Sequence, residues 1–129
     1  MPVIAIDFDG TIVEDQYPDI GDDQPGAIEA INTLYDHGYC IIINSCRARE
    51  KQDEMRVWLD ENSVKYCHIN ENCRERIVNY RTDCRKISAD CYIDDKGIMS
   101  FNFNQQNAWE NLKNLVFMKF GEHHKRKCE

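Results

Sequence analysis

The stretch Val3-Ile4-Ala5-Ile6 holds no polar residue, and the run breaks off at Asp7-Phe8-Asp9-Gly10-Thr11. A short, continuously apolar segment is what a strand buried on both faces of a parallel sheet requires, since neither face meets water. A second such segment is Tyr39-Cys40-Ile41-Ile42-Ile43-Asn44. Between the two, Ile28, Ile31, Leu34 and Tyr35 recur at helical spacing, with Pro25 placed to open a helix and Gly38 to close it. A helix with Met55, Trp58, Leu59 and Asn62 in its repeat is predicted from about Arg49, a weaker strand over 66–69, a fourth strand over 90–93, and a last helix marked by Ala108, Trp109, Leu112, Leu115 and Val116. Residues 71–85 carry no clear pattern. The alternation predicts right-handed crossovers and a Rossmann-like, three-layer α/β/α sandwich around a doubly wound, mainly parallel sheet.

At 129 residues the chain has the length of one domain. The expected division is a catalytic domain over 1–120 and a mobile, polar tail over 121–129. With 42% apolar and 30% charged residues the composition is that of a soluble globular protein. The start has no basic region followed by a long apolar stretch, and no apolar run approaches a membrane span, so a cytoplasmic protein without a membrane partner is expected. A net charge of -7 speaks against a general nucleic-acid binder and favours a divalent cation wherever acids gather. The seven cysteines include no Cys-x-x-Cys pair and read as reduced thiols, several of them buried. Cys67, His68, Cys73 and Cys84 match no standard zinc spacing.

Ligands of open parallel sheets bind at the carboxyl ends of the strands, which directs attention to the polar residues just after each apolar run. Asp7 and Asp9 are two positions apart on an extended chain and point the same way. An ionised carboxylate can attack phosphorus to form an aspartyl phosphate, and a second one can serve as general acid and then base. Gly10 permits a sharp turn close to a phosphate. Asp94 is expected to bind the divalent cation such a site needs, with Asp95 behind it orienting water or a lysine. Lys86 is expected to set a positive charge against the phosphoryl oxygens, and Ser45 to donate a hydrogen bond to them.

In this order the residues resemble the haloacid dehalogenase superfamily of phosphatases, whose motifs run Asp-x-Asp-Gly-Thr, Ser or Thr, Lys, Asp-Asp. The resemblance spans about residues 3–95. It implies Asp7 as nucleophile, Asp9 as acid and base, and Lys86 as the motif lysine. It also implies Mg²⁺ held by Asp7, Asp94 and the backbone carbonyl at Asp9. Gly10, Thr11, Ser45, Cys46, Arg47 and Lys86 form the expected phosphate-binding set. Neither gap between motifs has room for an inserted cap domain, so a small capless member is implied, with residues 12–25 as a flap.

An open site fits a small phosphorylated substrate, with a polynucleotide or glycan end as a further option. Arg47 and Arg49, or Arg74, Arg76, Arg81 and Arg85, could hold extra phosphates, although solvated helix faces account for them as well. Tyr17 in the flap could stack on a base or sugar or simply pack. Nothing in the sequence indicates an oligomer. The other functional classes are a phospho-accepting receiver-like signalling module, a phosphotransferase and a catalytically idle interaction domain. Asp9, two positions after the nucleophile, favours turnover over storage.

Overall fold

The computed structural model describes residues 1–126. Along the chain run β1 (Val3–Ile6), α1 (Ala27–Asp36), β2 (Cys40–Ile43), α2 (Glu50–Glu61), β3 (His68–Ile69), α3 (Arg74–Tyr80), β4 (Cys91–Ile93) and α4 (Ala108–Phe120). The strands form one parallel sheet in the order β3-β2-β1-β4. Ile4 pairs with Ile41 and Cys91, and Ile6 with Ile43 and Ile93. The two fully apolar segments therefore take the central places, where every residue is buried.

Side chains alternate across the sheet and divide the core. Ile4, Ile6, Ile41 and Ile43 meet Ile31 and Leu34 of α1, Met55 and Leu59 of α2, and Trp109 and Val116 of α4. On the opposite face Val3, Ala5, Cys40 and Ile42 meet Cys73 and Ile87. Helix α3 buries none of its residues, so no apolar stripe marked it in the sequence.

The chain winds from β1 through β2 to β3 and then crosses back to β4 on the far side of β1. The order reverses between β1 and β4, and a crevice opens beyond their carboxyl ends. The Asp7 amide extends this pairing by donating to the Ile93 carbonyl at 2.9 Å. Buried Trp109 anchors α4 beneath the same place, its Nε1 donating to the Thr11 carbonyl at 3.0 Å.

Pro25 does not open α1. Gly26 follows it at φ 73°, outside helical space, and the helix starts at Ala27. Residues 121–126, read from sequence as the beginning of a mobile tail, lie against the end of α1. Gly121 O accepts from the Tyr39 hydroxyl at 2.6 Å, and the His124 amide donates to His37 O at 2.8 Å. The remainder of that expected tail, 127–129, lies outside the described residues. Among the described residues no helix is long and apolar enough to cross a membrane.

Candidate active site

Beyond β1 the chain stays extended to Asp9 and then turns. Gly10 has φ +85°, its amide donates to Val13 O at 2.8 Å, and the Ile12 amide donates to Phe8 O at 2.9 Å. The turn is pinned by buried Phe8, Ile12 and Val13, while Asp7 and Asp9 remain on the open side. Glycine is required at position 10 on two counts. The backbone angle is left-handed, and a Cβ would overlap Oδ2 of Asp95.

Asp7, Asp94 and Asp95 each offer a carboxylate oxygen within 4.8 Å of the others. Burial, then the charge of Asp94, pushes the Asp7 carboxyl from 3.8 up to about 7; the Thr11 hydroxyl opposes this by donating to Oδ2 at 3.0 Å, and Asp95 adds to the rise. Among the described residues, Oδ1 of Asp95 is buried with no hydrogen-bond partner. Lys96 answers part of this charge. Its ammonium stands 3.2 Å from Asp95 Oδ2, and its amide donates to Asp94 Oδ1 at 2.9 Å. Asp95, and at longer range Asp15 and then Asp7, raise the Lys96 pKa.

Asp9 faces elsewhere. Arg47 donates to Oδ2 through Nε and to Oδ1 through a terminal nitrogen, both at 2.8 Å. The same guanidinium donates to the flap carbonyls of Asp19 at 2.8 Å and Pro18 at 3.2 Å, and lies over the ring of Tyr17 at 5.0 Å. The Asp9 hydrogen bond is the main reason its pKa rises. The flap is a short antiparallel excursion closed by Glu14 N to Asp22 O and Gln24 N to Ile12 O, each 2.8 Å, with Tyr17 exposed at its tip.

Ser45 lies just beyond β2 in a clamp made by Asn70, whose side chain accepts from Ser45 N and donates to Ser45 O, both at 2.8 Å. Its Oγ accepts from the Arg47 amide at 3.1 Å, which leaves the hydroxyl proton free to donate into the cleft. Asn70 holds φ 53°, a left-handed angle that asparagine tolerates better than most residues. It was missed in the sequence, where its signal was only a polar residue directly after β3.

A cleft of about 690 Å³ gathers Asp7, Asp9, Ser45, Cys46, Arg47, Asp94, Asp95 and Lys96. Some expected positions fall differently. Lys86 is not in the cleft. It is exposed, its ammonium lies 4.9 Å from the Tyr92 ring centroid, and it lines a separate depression with Tyr80, Cys84 and Ser88. The cause is Asn72, which accepts from Ser88 N at 2.6 Å and donates to Cys84 O at 2.8 Å, fixing residues 84–88 around itself. Lys96 comes directly after the acidic pair and occupies the place expected of Lys86. Arg47 is neither a solvated residue nor an open phosphate ligand; it is 2% exposed and engaged with Asp9 and the flap. Thr11 is fully buried and spends its hydroxyl on Asp7. Asp95 stands within the carboxylate cluster rather than behind it, and Asp9 is outside that cluster. Cys46 is an exposed thiol, and Arg76 pairs with Asp90 at 2.5 Å.

No protein-family model matches the chain, and no curated protein matches it. Among solved structures it is similar to that of a conserved protein coded by a locus of Bacteroides thetaiotaomicron. The two are 30% identical over 92% of this chain and 91% of the other, with a TM-score of 0.79.

Proposed function

We propose that this chain, which belongs to one family with the conserved Bacteroides thetaiotaomicron protein, is a Mg²⁺-dependent phosphohydrolase of the haloacid dehalogenase type, acting on phosphomonoesters. One observation carries the reading. Asp7, Asp94 and Asp95 converge at the crevice between β1 and β4, crowded enough to drive Asp7 up to about 7 and to leave Asp95 Oδ1 without a partner among the described residues. Like charges held this close, with few donors to satisfy them, suit a hard cation with oxygen ligands.

Bound among these three carboxylates, Mg²⁺ would offset their charge and polarise a phosphoryl oxygen. The chain's own residues do the rest. The Ser45 hydroxyl and the Lys96 ammonium orient the phosphoryl group and balance its charge. A carboxylate oxygen of Asp7 attacks phosphorus, and the ester bond breaks with its electron pair passing to the leaving oxygen. That oxygen takes a proton from Asp9. Water then attacks the aspartyl phosphate and loses a proton to Asp9, releasing inorganic phosphate and restoring the Asp7 carboxylate. The open cleft, with Tyr17 exposed above it, suits a small phosphorylated molecule or the phosphorylated end of a polynucleotide or glycan.

The test is hydrolysis of a generic aryl phosphate with and without Mg²⁺. Activity is expected only with the metal and is lost in Asp7→Asn; equal turnover in that variant would sink the proposal. A second reading, a receiver-like module that stores phosphate, would follow if Asp9 spent both oxygens on Arg47 in place of moving protons. Wild-type protein accumulating a phosphoenzyme that outlives many assay cycles would support storage. Accumulation confined to Asp9→Asn supports hydrolysis.

A further inference from the structure

We propose that His37, Glu122 and His123 form a binding site for a divalent transition ion, Zn²⁺ being the probe of choice, and that the ion fastens the segment after α4 onto the end of α1. One donor atom from each residue lies within 4.8 Å of the others. The set draws on two distant parts of the chain. His37 caps the C-terminus of α1, and Glu122 and His123 follow α4.

The backbone delivers these residues together before any ion is present. The His124 amide donates to His37 O at 2.8 Å, and the Tyr39 hydroxyl donates to Gly121 O at 2.6 Å. Gly38 has φ 93° and lies so close to the His124 carbonyl that a Cβ there would overlap it. The approach is therefore built into the fold.

The strongest pointer to a ligand is the ring of His37. Its Nδ1 lies 2.8 Å from Glu122 O, a carbonyl that can only accept, so Nδ1 carries the proton and Nε2 is the nitrogen whose lone pair the neutral ring would offer an ion. A ligating histidine held by a carbonyl at its other nitrogen is the usual outer-sphere arrangement of a metal site. The His123 ring is stacked on it, centroids 4.6 Å apart and planes 11° from parallel. Donors of one tetrahedral ion at bonds of about 2 Å stand within a few ångströms of one another, a spacing that lies inside the 4.8 Å bounding this set. Glu122 and His123 are exposed, and rotation of their side chains out of the stack lets both reach one ion. Two imidazoles and a carboxylate suit Zn²⁺, Ni²⁺ or Cu²⁺ better than Mg²⁺. Because α1 returns the chain to the amino ends of the strands, the ion would sit at the opposite end of the sheet from the acidic cleft.

The experiment is calorimetric titration of untagged full-length protein with Zn²⁺, in excess Mg²⁺ to occupy the carboxylates of the cleft. One Zn²⁺ per chain is expected, with affinity falling about tenfold or more in His37→Ala, His123→Ala and Glu122→Gln. His124→Ala should retain it, since that ring faces Gly121 O at 3.1 Å. Ring proton resonances of His37 and His123 should shift together on titration, a readout independent of activity, and circular dichroism checks that each variant is folded. Equal affinity in the folded His37→Ala and His123→Ala proteins, as thiol binding would produce, overturns the proposal; so does the absence of Zn²⁺ binding.

Discussion

Arg47 grips both carboxylate oxygens of Asp9 at 2.8 Å from a position only 2% exposed, and with its remaining donors it holds the flap carbonyls of Pro18 and Asp19. One side chain thereby sets the orientation of the proposed proton carrier and the height of the loop above the cleft. Replacing it by alanine strands a half-buried carboxylate and frees the flap, an expected loss of about 3 kcal/mol in urea unfolding. Arg47→Lys retains the charge but cannot form the fork, and turnover is expected to fall about 100-fold with the fold intact. Unchanged kinetics in Arg47→Lys would remove Arg47 from any positioning role.

The raised Asp7 pKa makes the metal-free protein pH-sensitive. Asp7 folded binds a proton more tightly than Asp7 unfolded, so its stability contribution is complete below the unfolded value of 3.8 and is lost as pH rises through about 7. Asp7→Asn keeps the shape without the charge. With chelator present, it should be no more stable than wild type at low pH and more stable at pH 8 by about 2 kcal/mol, solvent screening the part of the group that it reaches. Added Mg²⁺ should reverse the order by stabilising wild type alone. A gain that is constant across pH would contradict the crowding of charge described for this site.

Lys96 and Lys86 are separated by a simple comparison. Lys96→Met removes the cation beside Asp95 and is expected to lower kcat for an aryl phosphate by about 10-fold to 100-fold. Lys86→Met alters only a side chain over Tyr92 and should leave kcat within about twofold, as ordinary surface changes do. The reverse pattern would restore Lys86 to the site.

Gly10→Ala tests the contact between the turn and Asp95. The left-handed angle alone costs about 1 kcal/mol, and the overlap with Oδ2 adds to it by displacing the carboxylate. Thermal unfolding should shift down, and Mg²⁺ affinity should fall with it. A variant that loses stability yet binds Mg²⁺ as wild type does would show that Asp95 is not needed for the metal.

Much of the framework was legible because it is written in local patterns. β1 and β2 announced themselves as apolar runs, α1, α2 and α4 as helical repeats, and the acidic groups as the residues following β1 and β4. Helix α3 was not legible because it buries nothing, and Asn70 gave no pattern because its importance lies in two hydrogen bonds to a residue 25 positions earlier.

Local pattern marks where the strands end, so Asp7 and Asp94 were legible as carboxylates at the binding edge of the sheet; the pairing of β1 with β4, which sets them side by side, arises only on folding. Packing between distant segments likewise sets which cation stands beside them, which acid completes the cluster and what Arg47 holds. Periodicity records burial along one element, whereas the reach of a lysine or arginine depends on the path of a loop across space. Asn72 holds residues 84–88 around itself and Lys86 lies outside the cleft, the turn after β4 presents Lys96, and Arg47 folds inward beneath the flap to Asp9.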